Sequence, residues 1–225
     1  MNTLTKLASS WVGRIKPLES QAPAADVLAL PPPLRAGGMP LLEALAARQS
    51  KRDFRPDPLP LPLLSTLLWA AYGINRAESG GRTAPSALNA QEISVYVALA
   101  SGLYIYEPRA HVLRLIADID ARRVTGYQVF VDEAPVELIF VADRTHHLVP
   151  PGLRGIYAAA SAGAICQNVY LFCAAVGLAT VVRGWFDRKA LAKALSLGKG
   201  REIVLAQTVG YPGDGGRPRA LGGEA

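Results

Sequence analysis

Basic and hydroxyl-bearing side chains gather in three short stretches of this 225-residue chain. The first is Arg48-Gln49-Ser50-Lys51-Arg52-Asp53-Phe54. In extended backbone, positions 48, 50 and 52 point to one side. Two guanidiniums would then flank a hydroxyl, a fork suited to a phosphate dianion. Taken alone, a solvated basic turn is the simpler reading. The second stretch is Arg82-Thr83-Ala84-Pro85-Ser86-Ala87-Leu88-Asn89-Ala90-Gln91. Its small residues let a flat ligand approach the backbone, while Ser, Asn and Gln can bond the edges of a heterocycle. An ordinary polar turn has the same composition. The third, Arg217-Pro218-Arg219, lies in a glycine-rich tail, where disorder is the common state.

Other chemistries find little support. No G-x-G-x-x-G follows a strand, and there is no P-loop, C-x-x-C or H-E-x-x-H. His146 and His147 are adjacent, a spacing that does not aim two imidazoles at one metal, so no metal site is expected. Ser161 stands in Ala-Ser-Ala-Gly, but it lacks the first glycine of a nucleophile elbow and follows a loop rather than a strand. Cys166 and Cys173 are seven residues apart on a helix, about 10 Å along its axis, too far for a mutual disulfide. They read as small core residues in a reducing compartment. The formal net charge of +6 is scattered, with no interleaving of basic and aromatic residues, so no nucleic-acid partner is expected. Before Arg14 and Lys16 the apolar run is too short for a signal peptide, and a cytoplasmic protein is expected.

The elements that must position these residues are organised around Ile156 to Val182, which holds neither charge nor proline. Its composition predicts a helix from about Tyr157 to Val176, roughly 30 Å long, with Gly177 past its end and strand chemistry in Ala-Thr-Val-Val. A helix apolar on all sides must be buried on all sides. A single membrane span competes, but Gln167 and Asn168 at mid-depth and the alternating, turn-rich remainder weigh against it. The expected cover is the chain's own sheet plus a second copy of the chain, with Gln167 and Asn168 bonding across the interface.

Before this helix, residues 1–38 read as an extended Pro/Ala/Gly-rich arm, ahead of a domain from 39 to 225. A short helix follows Met39 with Leu41, Leu42 and Leu45 turned inward, and a second runs from Leu63 to Tyr72, stopped by Gly73. Alternation in ISVYVALA, LYIYE and HVLRLI predicts an antiparallel meander, with a helix over 118–125 and a central strand over 136–142. After the long helix, Asp187 caps a helix carrying Leu191 and Leu195, and IVLAQTVGY is the last strand. The class is α+β, an antiparallel-rich sheet with helices around a central apolar helix.

In order and spacing these motifs resemble the FMN-dependent nitroreductase family, from about Met39 to the end. R-x-S-x-[RK]-x-F is present as Arg48, Ser50, Arg52 and Phe54, and LLWAA-x-G as Leu67 to Gly73. P-S-[AS]-x-N-x-Q is present as Pro85 to Gln91, and the QN-x-x-L-x-A-x-x-x-GL helix appears as Gln167 to Leu178, with Cys173 at the alanine position and Ala174 and Ala175 beside it. A strand ending at Gly184 before Phe186-Asp187 and a closing VGYP complete the set. RTAPSA followed by GLYIYEP and a histidine is similar to the branch that includes peptide azoline dehydrogenases.

The resemblance implies a nitroreductase-like sandwich that forms a homodimer around its central helices, with FMN at the interface. Arg48, Ser50 and Arg52 would hold the phosphate and reach toward the pyrimidine edge, joined by Arg217 and Arg219 from the tail. Pro85, Ser86, Ala87 and Asn89 would come from the other subunit. The backbone of Val182, Arg183 and Gly184 would lie along the flavin and offer an amide to N5. NADH or NADPH would supply hydride, and a small acceptor such as a nitroaromatic or quinone would take it. The hydride step asks for no protein acid or base, so no catalytic residue is named. Arg52 is the first candidate for positive charge near N1, and Arg183 the second. Two rival activities are a dehydrogenase of a peptide- or azoline-type substrate and a flavin-binding protein without turnover. Relatives often carry an acid where Arg183 stands and an aromatic where Glu92 and Ile93 stand, which bears on the substrate more than on the cofactor.

Overall fold

The computed structural model describes residues 27–145 and 149–215. An eight-stranded, fully antiparallel sheet forms the centre. Its strands are β1 (Val27–Ala29), β2 (Phe54–Arg55), β5 (Ile93–Leu99), β6 (Gly102–Glu107), β7 (Val112–Ala117), β8 (Val136–Asp143), β9 (Ala179–Arg183) and β10 (Arg201–Pro212). The order is β1-β7-β6-β5-β8-β10-β2, with β9 also paired to β10. A small hairpin, β3 (Ile74–Arg76) and β4 (Gly81–Arg82), stands apart inside what the sequence reads as one polar loop.

The sheet is covered on both faces, and strand alternation shows why. Val95, Val97, Leu138 and Phe140 enter one core, with helices α2 (Leu61–Tyr72) and α4 (Arg154–Val176). Their neighbours Tyr96, Ala98, Ile139 and Val141 enter a second core with Leu191 of α5 (Arg188–Ala194) and Leu195 at its C-cap. A period of two sends successive side chains to opposite faces. Asp187 caps α5 as expected, accepting from the amides of Lys189 and Ala190. Gly177 ends α4 at φ +79°, a conformation that favours glycine, while the Leu178 amide bonds back to the Cys173 carbonyl at 2.8 Å. Cys166 and Cys173 are buried free thiols.

Several expectations change. α4 is long and apolar enough to cross a membrane by length and composition, yet it is not buried on all sides within one chain. One face packs on α2 and the sheet; Ile156, Ala159, Ala160, Gly163 and Gln167 on the other are exposed. Asn168 is used inside the chain, its amide donating to the Ala71 carbonyl at 3.4 Å. In helix α1 (Leu41–Ala47) Ala44 is the buried residue; Leu41, Leu42 and Leu45 face outward. The helix expected over 118–125 is reduced to a 3₁₀ turn at Arg122–Thr125, and α3 (Phe130–Glu133) adds a single turn before β8.

The described part of the arm joins the sheet: Val27–Ala29 pairs with β7. His111 anchors it. Tyr106 bonds His111 Nδ1 at 2.9 Å, and His111 Nε2 meets the Ser65 hydroxyl at 2.7 Å. Ser65 donates to the Pro31 carbonyl, which leaves its oxygen to accept from Nε2–H and His111 Nδ1 to accept from Tyr106. The chain of hydrogens is therefore ordered around a neutral imidazole, and burial holds the His111 pKa below its ordinary 6.5.

Candidate functional site

Three of the sequence-marked residues meet at one phenol that the sequence reading passed over. Tyr170, buried in α4, takes the amide proton of Val182 at 3.0 Å and lies 2.7 Å from the Ser50 hydroxyl. The Arg48 guanidinium sits 5.2 Å from the centre of the same ring. A tyrosine in an otherwise uncharged, apolar helix is a signal, because a buried phenol needs a polar partner.

The strand geometry explains the convergence. β9 pairs with β10 along one edge. On its other edge the Thr180 carbonyl accepts from the Lys51 amide at 3.1 Å, and the Val182 amide donates to Tyr170. Alternation brings the amide of exposed Gly184 next along this edge. The Arg48–Phe54 stretch thus runs beside β9 and then pairs through Phe54 and Arg55 with Pro212 and Tyr211. Lys51 is engaged by Asp214 at 3.2 Å. Arg52 is exposed and enters no ion pair among the described residues. The Gly213 amide bonds the Asp53 carbonyl at 3.1 Å, so the tail that carries Arg217 and Arg219 leaves from beside this stretch. Those two arginines, like His146 and His147, lie outside the described residues.

Arg183 does not present its charge to this edge. Its guanidinium is buried and bonds Glu137, the Thr208 hydroxyl at 3.0 Å and the Thr125 carbonyl at 2.6 Å. Thr208 also donates to Glu137 at 2.8 Å. Burial pushes the Glu137 carboxyl up to about 7 against the pull of Arg183, and burial lowers the Arg183 pKa. The expectation that Arg183 supplies positive charge to a bound ring is therefore withdrawn, since a carboxylate already compensates it. A lone acid inside VELIFVA was the available sign, because a buried charge needs a partner.

The Pro85–Gln91 loop stands elsewhere. Among the described residues no hydrogen bond or ring contact links it to Arg48–Arg52. Leu88, Asn89 and Gln91 all adopt positive φ, at 54°, 52° and 51°. Such a run of left-handed residues is strained and needs support. Gln91 gives it: its amide nitrogen donates to the Gly80 carbonyl and to Asn89 Oδ1, and its backbone amide to Ser86 Oγ. Arg82 holds Gln91 Oε1 at 2.9 Å while lying over the Tyr72 ring. Pro85 is exposed and Ser86, Ala87 and Asn89 are half-buried. Glu92 and Ile93, where relatives often carry an aromatic, are both buried.

Around Tyr170 stand the Arg48 guanidinium, the Ser50 hydroxyl and the outer edge of β9, where the Gly184 amide comes next after Val182; exposed Arg52 follows two residues after Ser50. That set suits a phosphate joined to a flat, hydrogen-bonding ring, and so fits FMN.

The sequence profile of the Nitroreductase family matches residues 45–211. A nitroreductase-family protein of Methanocaldococcus jannaschii, MJ1384, is 32% identical over 168 residues, 70% of this chain and 84% of its own. A crystal structure of a nitroreductase-family protein from Ralstonia eutropha JMP134 is 48% identical, with a TM-score of 0.80, and the match covers 88% of this chain and 95% of that one. A nitroreductase-family protein of Desulfovibrio desulfuricans, solved in complex with FMN, shares the fold at a TM-score of 0.57 and 24% identity, over 77% of this chain and 86% of its own.

Proposed function

This chain belongs to the nitroreductase family of flavin-dependent oxidoreductases, and from that premise we propose that it binds FMN and passes hydride from NADH or NADPH to a small acceptor such as a nitroaromatic or quinone. The observation that carries the reading is the meeting of Arg48, Ser50 and Val182 on Tyr170 beside the free edge of β9. In this reading Arg48 and Ser50 hold the phosphate, with Arg217 and Arg219 from the tail. Arg52 directs positive charge toward the ring's pyrimidine side, and the backbone from Val182 through Arg183 to Gly184 lies along the ring. When bound, FMN would supply the hydride chemistry between a nicotinamide and an oxidant. The chain's own work is to orient the ring and set its electrostatic surroundings.

The site is completed by a homodimer in this reading. Pro85, Ser86, Ala87 and Asn89 lie apart from Arg48, and the exposed small residues Ala159, Ala160 and Gly163 of α4 leave room for a second copy; the space beside Gly163 is open. Buried free Cys166 and Cys173 suit the cytoplasm, where reduced nicotinamides are kept.

Purified protein is expected to show the absorption bands of a bound flavin, to release FMN on denaturation, and to consume NADH or NADPH when a quinone is added. A colourless protein whose spectrum does not change on adding FMN contradicts the reading. The similarity of Arg82–Ala87 and Gly102–Pro108 to the azoline branch favours one second reading, a dehydrogenase of a peptide- or azoline-type substrate. That activity would leave NAD(P)H unconsumed.

A further inference from the structure

Two large aromatic side chains stand side by side at the end of β9. Trp185 is 70% exposed and Tyr127 59% exposed, and their ring centres lie 5.5 Å apart at 57°. The loop that carries Tyr127 is firmly held. Arg183 donates to both the carbonyl and the hydroxyl of Thr125, at 2.6 and 3.2 Å, while Glu137 and Thr208 grip the same guanidinium from the sheet. Gly126 makes the approach possible: a Cβ there would collide with Arg183 Nη1. Its φ of −173° is ordinary extended backbone, so the requirement is for space. Arg183 immediately precedes Gly184, and Trp185 follows just past the end of β9. One buried side chain therefore holds the Tyr127 loop at the end of β9, where Trp185 follows, on the strand whose outer edge carries Val182 and Gly184.

We propose that Tyr127 and Trp185 form an aromatic wall that selects the oxidant by stacking on a planar, electron-poor ring, with Arg183 as its positioning residue. The inference rests on the flavin-binding reading of the same edge. Electron-rich indole and phenol faces attract a ring depleted by nitro or quinone groups, and stacking adds to what area burial alone gives. An oxidant without a ring gains nothing from the wall. The wall belongs to this chain's own arrangement, because its anchor is the Arg183–Glu137 pair.

The test uses the FMN-loaded protein and the variants Trp185→Ala and Tyr127→Ala, with Trp185→Phe and Tyr127→Phe as conservative partners. Equilibrium dialysis of 4-nitrobenzoate against the oxidised holoprotein reads binding without turnover. Each alanine variant is expected to weaken binding roughly two- to tenfold, and each phenylalanine variant to keep most of it. In steady state with NADH or NADPH, the ratio of kcat/KM for menadione to that for ferricyanide is expected to fall in the alanine variants, through KM. Arg183→Met is expected to fall with Tyr127→Ala; if it does not fold, the aromatic variants decide. Unchanged 4-nitrobenzoate binding in both alanine variants overturns the wall. So does an equal loss for menadione and ferricyanide, or dissociation of a dimer in either variant, which would make the rings an interface. A parent protein that binds no FMN sinks the flavin reading itself, whereas normal FMN binding with indifferent aromatic variants sinks the wall alone.

Discussion

The Tyr170 hydroxyl holds the Val182 amide at 3.0 Å, and so fastens the free edge of β9 to the long helix beneath it. The same oxygen reaches Ser50 at 2.7 Å, so strand, helix and the basic stretch meet at one atom. Tyr170→Phe keeps the ring under Arg48 and removes that atom. One neutral hydrogen bond is worth about 0.5–1.5 kcal/mol, which predicts a roughly two- to tenfold rise in the FMN dissociation constant. Fluorescence titration of apoprotein checks it; an unchanged constant would mean the phenol serves the fold alone.

The buried pair of Arg183 and Glu137 gives a stability prediction. Arg183→Met leaves a carboxyl that is 0% exposed without its cation, a change that costs about 3–5 kcal/mol in such settings. Glu137 can relieve part of this by binding a proton, so the lower end is expected. Arg183→Met combined with Glu137→Leu should recover most of the loss. Denaturant midpoints of parent, single and double variants measure the coupling, and simple additivity would show that the two do not act as a pair.

A half-buried histidine and a buried carboxyl tilt stability with pH in opposite directions. The pKa of His111 is lowered from 6.5 in the fold, so its contribution is present above that value and lost as pH falls through the folded pKa. Glu137 is raised from 4.5 to about 7; its contribution is full below 4.5 and lost as pH rises through about 7. His111→Gln should flatten the acid-side decline in Tm, and Glu137→Gln the change between pH 5 and 7. Melting curves across pH 4.5–8 test both signs, and parallel curves for parent and variants would contradict them.

The assembly has its own prediction. The outward leucines of α1 and the exposed Ala159–Gly163 face of α4 leave apolar surface that a second copy would cover. Gly163→Arg should hinder close approach, since a Cβ at this position enters open space. Sedimentation at low micromolar concentration is expected to show a dimer for the parent and a shift toward monomer for the variant. A folded, flavin-loaded parent monomer would contradict the dimeric site.

Much of the fold is legible in composition and period. The cap at Asp187, the stop at Gly177 and the apolar, β-rich run of Val136–Ala142 depend on local chemistry, and each appears where the sequence puts it. What fails depends on tertiary contact. Leu41, Leu42 and Leu45 look like a core face, but Ala44 is the buried residue of α1, which packs beside α4. Arg183 reads as a second source of positive charge near the ring, while its side chain answers to Glu137, 46 residues away. Tyr170 carries no motif, and its role appears only when β9 returns beside its own helix.

The central claim is that Arg48 and its neighbours hold the phosphate of FMN. It is tested most directly by titrating apoprotein with FMN and with riboflavin, in the parent and in Arg48→Ala. Loss of one charge-assisted hydrogen bond, about 1.5–3 kcal/mol, predicts a roughly 10- to 150-fold rise in the FMN dissociation constant. Riboflavin, which has no phosphate, should bind parent and variant about equally. Equal losses for the two ligands would contradict the account and make Arg48 a support of the fold.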